Sequence, residues 1–209
     1  MNKAGKWILI TIGSIAACIG IMIVIFIIDM TPDSSEEEKV KEKAADYLEE
    51  TYSGQMEIFD TLYDNMGNFA GFEYAAKVTN NDNDVSFLVY EDRSTGRMVD
   101  DYAVRYYEDQ LYDMIIDDIE QRFTPIGMVT VSYDEGIDRK FQGEVDLPEI
   151  RELEASPSII VWLDREAEEG DQRRVDELMD ILKNDLEIPH AGLKVDDQSF
   201  EKDNIIEEY

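Results

Sequence analysis

Cysteine and histidine are almost missing from this chain, which has one of each in 209 residues, Cys18 and His190. A single cysteine excludes an intrachain disulfide and any CxxC metal or redox site. A single histidine excludes His-based zinc clusters and argues against a Ser-His-Asp triad. No glycine-rich phosphate loop occurs. Basic residues are scarce as well, 19 against 49 acidic, for a net charge of −30. Lys3 and Lys6 precede Asp29, the first acidic residue, so the part from residue 29 onward carries 17 basic against 49 acidic groups, or −32. A surface of that sign repels phosphates, which rejects nucleic acid as a partner. It also repels anionic headgroups, so beyond any anchor the domain is expected to stand off a membrane. The chain is nevertheless not read as disordered. Aromatic residues make up 10%, 11 of them Tyr, and apolar positions recur with clear periodicity, as in a folded domain with an acidic shell.

The first thing present is a long uncharged run, "WILITIGSIAACIGIMIVIFII", at residues 7–28. As a helix it spans roughly 33 Å, about one hydrocarbon core. Trp7 suits the interface, and Lys3 and Lys6 at one end face Asp29 and "DSSEEE" at the other. The basic end stays inside, so residues 1–6 form a cytoplasmic tail and the rest lies outside the cytoplasm. An alternative is carried by "IAAC": Cys18 could be the lipid-attachment cysteine of a cleaved precursor. Against that, ten further apolar or small residues come after Cys18, where a lipoprotein turns to a polar tether. The retained spanning helix is the preferred reading. Gly13, Ala17 and Gly20 put small residues on one side of it, a surface on which two copies could pair as a homodimer.

Residues 29–35 read as a linker. Ser35 and Glu38 have capping-box spacing, and Val40, Ala44, Tyr47 and Leu48 repeat at helical spacing up to Gly54. Strands come next at "QMEIFDTLY", "FEYAAKVT", "VSFLVYED" and "RMVD", with "NNDND" and "RSTG" as turns. Phe72, Tyr74, Ala76 and Val78 share one face, and Val85, Phe87 and Val89 point inward. Asp100 or Asp101 caps a helix whose stripe is Val104, Tyr107, Leu111, Ile115 and Ile119, closed by Thr124-Pro125 and Gly127. The order predicts one sheet face covered by both helices, a two-layer module over residues 36–124.

This stretch resembles a known family. "AADYLEETYSGQMEIFD", "FEYAAKV", "VSFLVYED", "TGRMVDDY" and "AVRYYEDQLYDMI" look like the YfjL-like proteins of Gram-positive bacteria over about 90 residues. These are short-anchored extracytoplasmic proteins, distantly similar to PepSY and cystatin-like folds. The resemblance implies a small exported α+β domain. It offers no catalytic residue to carry over and no enzyme assignment.

Residues 125–209 read as a second, smaller α/β module. "MVTVSYD" is a strand, "DEGIDRKFQGEVD" a loop or extended hairpin, and "LPEIRELEA" a short helix. "SIIVWLD" is a continuous apolar run and predicts a buried central strand with Trp162 in the core. Asp171 is expected to cap a helix striped by Val175, Leu178, Met179, Leu182 and Leu186. "LKVDD" reads as the final strand, parallel to "SIIVWLD" in a βαβ unit. The tail "EKDNIIEEY" is expected to fray. The two modules would meet near residues 124–127; one domain with a shared sheet is the alternative.

Several constellations invite a chemical reading. Asn80, Asp82, Asp84 and Glu91 match four positions of a calcium loop, but Val85 stands where that loop needs glycine, and "VSFLVY" alternates as a strand. A hairpin turn is the better reading. Asp134, Glu135 and Asp138 offer loop carboxylates for a divalent cation, against a solvated acidic loop. Among so many acids no catalytic pair can be singled out. His190, beside Pro189, reads as a surface or packing residue. Tyr102, Tyr106, Tyr107 and Tyr112 read first as packing, then as a groove lining.

The sequence therefore predicts an α+β, single-pass, extracytoplasmic membrane protein with no catalytic, cofactor-binding or metal-binding residues and no cofactor. Its expected role is non-enzymatic binding or regulation in the cell envelope, with a membrane protein as a candidate partner. A cation-responsive module and a carboxylate-based envelope hydrolase are the rival readings.

Overall fold

The structure is a computed structural model that describes residues 3–134, 136–197 and 205–209. Helix α1 (Lys3–Met30) contains the whole uncharged run. From residue 11 to residue 30 every side chain on it is exposed, so no protein core receives its apolar surface. Among the described residues it is the one helix long and apolar enough to cross a membrane.

A break at residues 31–33 precedes α2 (Ser34–Thr51). The expected Ser35/Glu38 capping box is not what starts this helix. Asp33 is the N-cap, and its carboxylate accepts the Ser35 N–H at 2.8 Å. A carboxylate at this position satisfies an orphan amide and also complements the helix dipole. Val40, Ala44 and Leu48 then form the buried stripe.

Strands β1 (Met56–Tyr63), β2 (Tyr74–Asn80), β3 (Val85–Asp92) and β4 (Arg97–Asp100) form an antiparallel meander in chain order. "NNDND" is the β2–β3 turn, in which Asp84 takes φ 61°. "RSTG" is the β3–β4 turn. There Gly96 takes φ +65°, a conformation that would strain a side-chain-bearing residue. The Asp92 carboxylate collects the Ser94 and Thr95 amides in the same turn. The inner face of the meander, Ala76, Val78, Val85, Phe87 and Val89, packs on Ala44, Leu48 and Tyr52 and on Tyr102.

Helix α3 (Tyr102–Phe123) buries Val104, Tyr107, Leu111, Ile115 and Ile119, the stripe legible in the sequence. Its placement differs from the expectation. Only its start joins the core of the meander, through Tyr102 and the partly buried Tyr106, whereas its buried positions from Val104 to Phe123 pack in the core of a second sheet. A helix of this length reaches well past a four-strand sheet, and residues 126–195 supply the apolar surface that its later turns meet.

That second sheet contains β5 (Ile126–Ser132), β6 (Ser158–Leu163), β7 (Gly192–Asp196) and β8 (Ile205–Glu208), in that spatial order. Between β5 and β6 lies a short helix, α4 (Gly136–Phe141). β6 runs antiparallel to β5 and parallel to β7, with α5 (Asp171–Asp180) between β6 and β7. The βαβ unit is thus as expected. α5 continues into one π turn at Ile181–Asp185, and Val175, Leu178, Met179 and Leu182 are buried. Four local expectations are corrected. "DEGIDRKFQGEVD" is no extended hairpin, because α4 forms within it and buries Ile137 and Phe141. "LPEIRELEA" contains only a 3-10 turn at Ile150–Glu152. Asp171 is the first residue of α5 rather than its cap, which is Gly170. The tail does not fray throughout. Ile205–Glu208 pairs antiparallel with β7, so "LKVDD" is not the last strand, while residues 198–204 lie outside the described residues.

Candidate functional site

Two features outside the hydrophobic cores concentrate chemistry. The first is a carboxylate cluster where β4, α3 and α4 meet. The Asp100 carboxylate accepts the Tyr102 N–H at 3.0 Å and the Tyr47 hydroxyl at 2.5 Å. Asp138, carried over by α4, accepts the Val104 N–H at 2.9 Å. Two carboxylates from neighbouring elements therefore satisfy first-turn amides of α3, whose own N-cap, Asp101, makes no side-chain cap bond. Asp101 instead accepts from the Leu88 N–H and from Arg105 at 3.0 Å, and Arg105 reaches Glu108 at 2.8 Å. Burial pushes the Asp138 carboxyl up to about 7; the Val104 N–H opposes this, and Asp101 and Asp100 add to it. Burial raises Asp101 and Glu108 too, against the nearby Arg105. Asp100 and Asp138 share the wall of a cleft of about 360 Å³ with Gln142 and Arg139. Among the described residues no group of three His, Cys, Asp or Glu side chains converges as a metal site.

The second feature is the face of the β5–β8 sheet that no helix covers among the described residues. α3 and α5 cover one face, burying Val131, Ile159, Val161, Leu193 and Val195. The alternate residues face outward. The register sets Met128 against Trp162, Thr130 against Ile160, Ile160 against Lys194, and Lys194 against Ile206. Trp162 is 38% exposed, Met128 54% and Ile206 68%. This corrects the expectation that Trp162 is core. A continuous apolar run suggests a strand covered on both faces, but among the described residues only one face has helices on it. The Lys194 ammonium lies 5.7 Å from the Trp162 ring centroid and pairs with Asp196 at 2.6 Å.

The residues singled out in the sequence have distinct placements. Cys18 is exposed midway along α1. A Cβ added at Gly13 or Gly20 would meet nothing within 4 Å, so that side of the helix, with Ala17, faces no described part of this chain. Asp82 lies in the β2–β3 turn and Glu91 on β3, as a hairpin requires. Asp134 accepts the Gly136 N–H at 2.7 Å, and Glu135 lies outside the described residues. His190 is exposed. Tyr102 and Tyr107 are fully buried, Tyr106 is partly buried, and Tyr112 is exposed. The Tyr107 hydroxyl donates to the Pro148 carbonyl at 2.9 Å, anchoring α3 to the loop before the 3-10 turn.

Sequence reasoning missed two groups. The Asp100–Asp101–Asp138 cluster joins residues far apart in the chain. The Asp171 carboxylate is fully buried between Arg165 (2.7 Å) and Arg174 (2.5 Å), and it also accepts the Glu168 N–H at 2.8 Å. Burial alone would raise this carboxyl, but the two guanidiniums and the amide hold it at about 2. The only available signal was local, a carboxylate opening a helix with arginines six residues before it and three after.

No family model matches the chain, and no curated protein matches it. Among solved structures, a DUF5037 family protein from Ruminococcus gnavus ATCC 29149 is similar at a TM-score of 0.38 and 15% identity, over 73% of this chain and 72% of that one. A likeness that loose assigns neither fold nor activity.

Proposed function

We propose that this chain is a single-pass membrane protein with its amino terminus inside, whose exterior acts as a non-enzymatic binding or regulatory module for another protein of the cell envelope. The observation that carries the binding role is the face of the β5–β8 sheet that no helix covers among the described residues, where Met128, Trp162 and Ile160 adjoin and Lys194 stands between Ile160 and Ile206. A sheet face with exposed apolar side chains around the Lys194–Asp196 pair, beside an exterior of net charge −32, fits a protein with an apolar contact rimmed by basic groups. The carboxylate cluster speaks for architecture rather than catalysis, since its oxygens accept amides of α3. Orientation rests on Lys3 and Lys6 at one end of α1 and Asp29 at the other. The resemblance to YfjL-like exported proteins fits the same reading.

The test is site-specific photo-crosslinking in cells, with the crosslinker at Trp162 and, as a control, at Asn81 in the β2–β3 turn. The expected outcome is an adduct with one basic protein at position 162 alone, lost in a Met128→Asp/Ile206→Asp variant that still melts as the parent does. No adduct above the control overturns the binding surface, and an adduct with a second copy of the chain replaces it with self-association. The amino-terminal peptide of this chain, recovered from the same adducts, decides the anchor. An uncut start supports the retained helix, and a lipid-modified Cys18 start overturns it.

A further inference from the structure

The ten-residue connection between β1 and β2 is built unlike the rest of the exterior. Residues 65–72, "NMGNFAGF", contain no charge in a chain with 49 acidic residues. The flanking Asp64 is buried and turned into the loop, where its carboxylate accepts the Asn68 N–H at 3.0 Å and the Phe69 N–H at 2.7 Å. Two backbone bonds close the base, Asp64 N–H to Glu73 carbonyl and Arg93 N–H to Gly71 carbonyl, both 2.8 Å. The frame presents apolar groups outward. Met66 is 73% exposed, beside Gly67 at φ +71°, and Phe69 is 38% exposed, stacked on Phe72 at 4.8 Å.

The same loop sits at the end of the spanning helix. Tyr63 donates its hydroxyl to the Asp29 carbonyl at 2.9 Å, and the Asn65 amide is in contact with the Met30 sulfur. The Tyr74 hydroxyl accepts the Asp33 N–H at 3.0 Å, and the Tyr63 and Tyr74 rings stack at 4.8 Å. If residues 7–28 fill the hydrocarbon, Asp29 and Met30 stand in the headgroup layer, roughly 5–7 Å thick on each side. Met66 is one residue from the side chain that touches Met30. An uncharged tip with one flexible thioether and one aromatic ring is what that layer accommodates.

We infer that the β1–β2 loop is a second membrane contact, with Met66 and Phe69 entering the headgroup layer of the leaflet from which α1 emerges. The inference rests on the reading of α1 as a spanning helix. The occupant is a zwitterionic lipid surface, because Asp29 and Asp33 beside the loop oppose anionic headgroups. Two points of attachment hold the exterior at a fixed tilt and narrow the expectation that it stands clear of the membrane.

The test uses the full-length Cys18→Ala chain in phosphatidylcholine bilayers, with a single environment-sensitive dye attached at Met66→Cys. Parallel labels go at Ile23→Cys in the span and at Asn81→Cys, at the opposite end of β2 from Tyr74. The Met66 label should emit blue-shifted and lose more than about half its emission to lipids carrying a nitroxide at the headgroup, as a side chain in the interface does. The Asn81 label should show neither effect. A Met66 label that behaves like Asn81 while Ile23 is quenched by deep nitroxides overturns the loop contact and leaves the anchor intact. An Ile23 label that reads as aqueous overturns the anchor and the loop contact together.

Discussion

Asp171 and Asp138 are acidic side chains near helix starts, and their surroundings push them in opposite directions. Arg165 and Arg174 hold Asp171 charged, so its contribution to stability is present at neutral pH and lost only as pH falls from its ordinary value toward 2. Asp138 has one amide and no bonded cation, and burial favours its protonated form up to about pH 7. The folded state therefore binds the Asp138 proton more tightly than the unfolded chain does. That stability is fully present below the ordinary carboxyl value and is lost as pH rises through about 7. Asp138→Asn keeps an oxygen for the Val104 N–H and removes the charge. Thermal melts of the detergent-solubilised chain should show the variant melting higher than the parent at pH 8, with the gap closing by pH 4. A gap that is constant across this range would mean that Asp138 does not titrate between the two.

At the scale of elements, α3 has the most demanding position. Tyr102 at its start belongs to the core of the β1–β4 meander, and Leu111, Ile115 and Ile119 belong to the core of the β5–β8 sheet. Its stripe was legible from period alone, because 3.6-residue spacing puts those positions on one face whatever they meet. Which sheet they meet was not legible, since that depends on contacts with residues 131–195. The same limit explains α4 and β8. "GIDRKF" is a single helical turn and a half held by Ile137 and Phe141 in a distant core, and "IIEE" is an edge strand whose partner is set by the pairing of Gly192 with Glu208. Leu111→Ala should cost about 3 kcal/mol, as a fully buried leucine truncation does. Chemical denaturation should remain a single transition, because the helix is shared by both cores. Two separated transitions would show that the sheets unfold independently of α3.

For the whole molecule, charge is the governing quantity. Sixteen ion pairs among the described residues cannot offset a net charge of −30, and many of those pairs are exposed and worth little each. Self-repulsion then dominates at low ionic strength and is screened within roughly 10 Å at 0.1 M salt. The melting temperature should climb steadily as sodium chloride is raised from low millimolar to about 0.5 M, a range over which the screening length falls severalfold. A flat or falling curve would show that local pairing, not net charge, sets the balance. The proposed partner face and the loop at the end of α1 belong to this scale too, because each is an apolar exception on an acidic surface.

The sequence by itself determined what depends on neighbours along the chain. The uncharged run at residues 7–28, the alternation of Val85, Phe87 and Val89, the stripe of α5 and the parallel βαβ pairing all derive from period, length and breakers. Only the tertiary structure decided what depends on which surfaces meet. It placed Trp162 outside, because one face of its sheet has no helix above it among the described residues. It gathered Asp100, Asp101 and Asp138, because α4 folds back onto the first turn of α3. It also set Met66 and Phe69 near the end of α1, because Tyr63 bonds to Asp29 and Asn65 touches Met30. Local sequence fixes which face of an element is apolar, whereas the partner for that face is chosen by long-range packing.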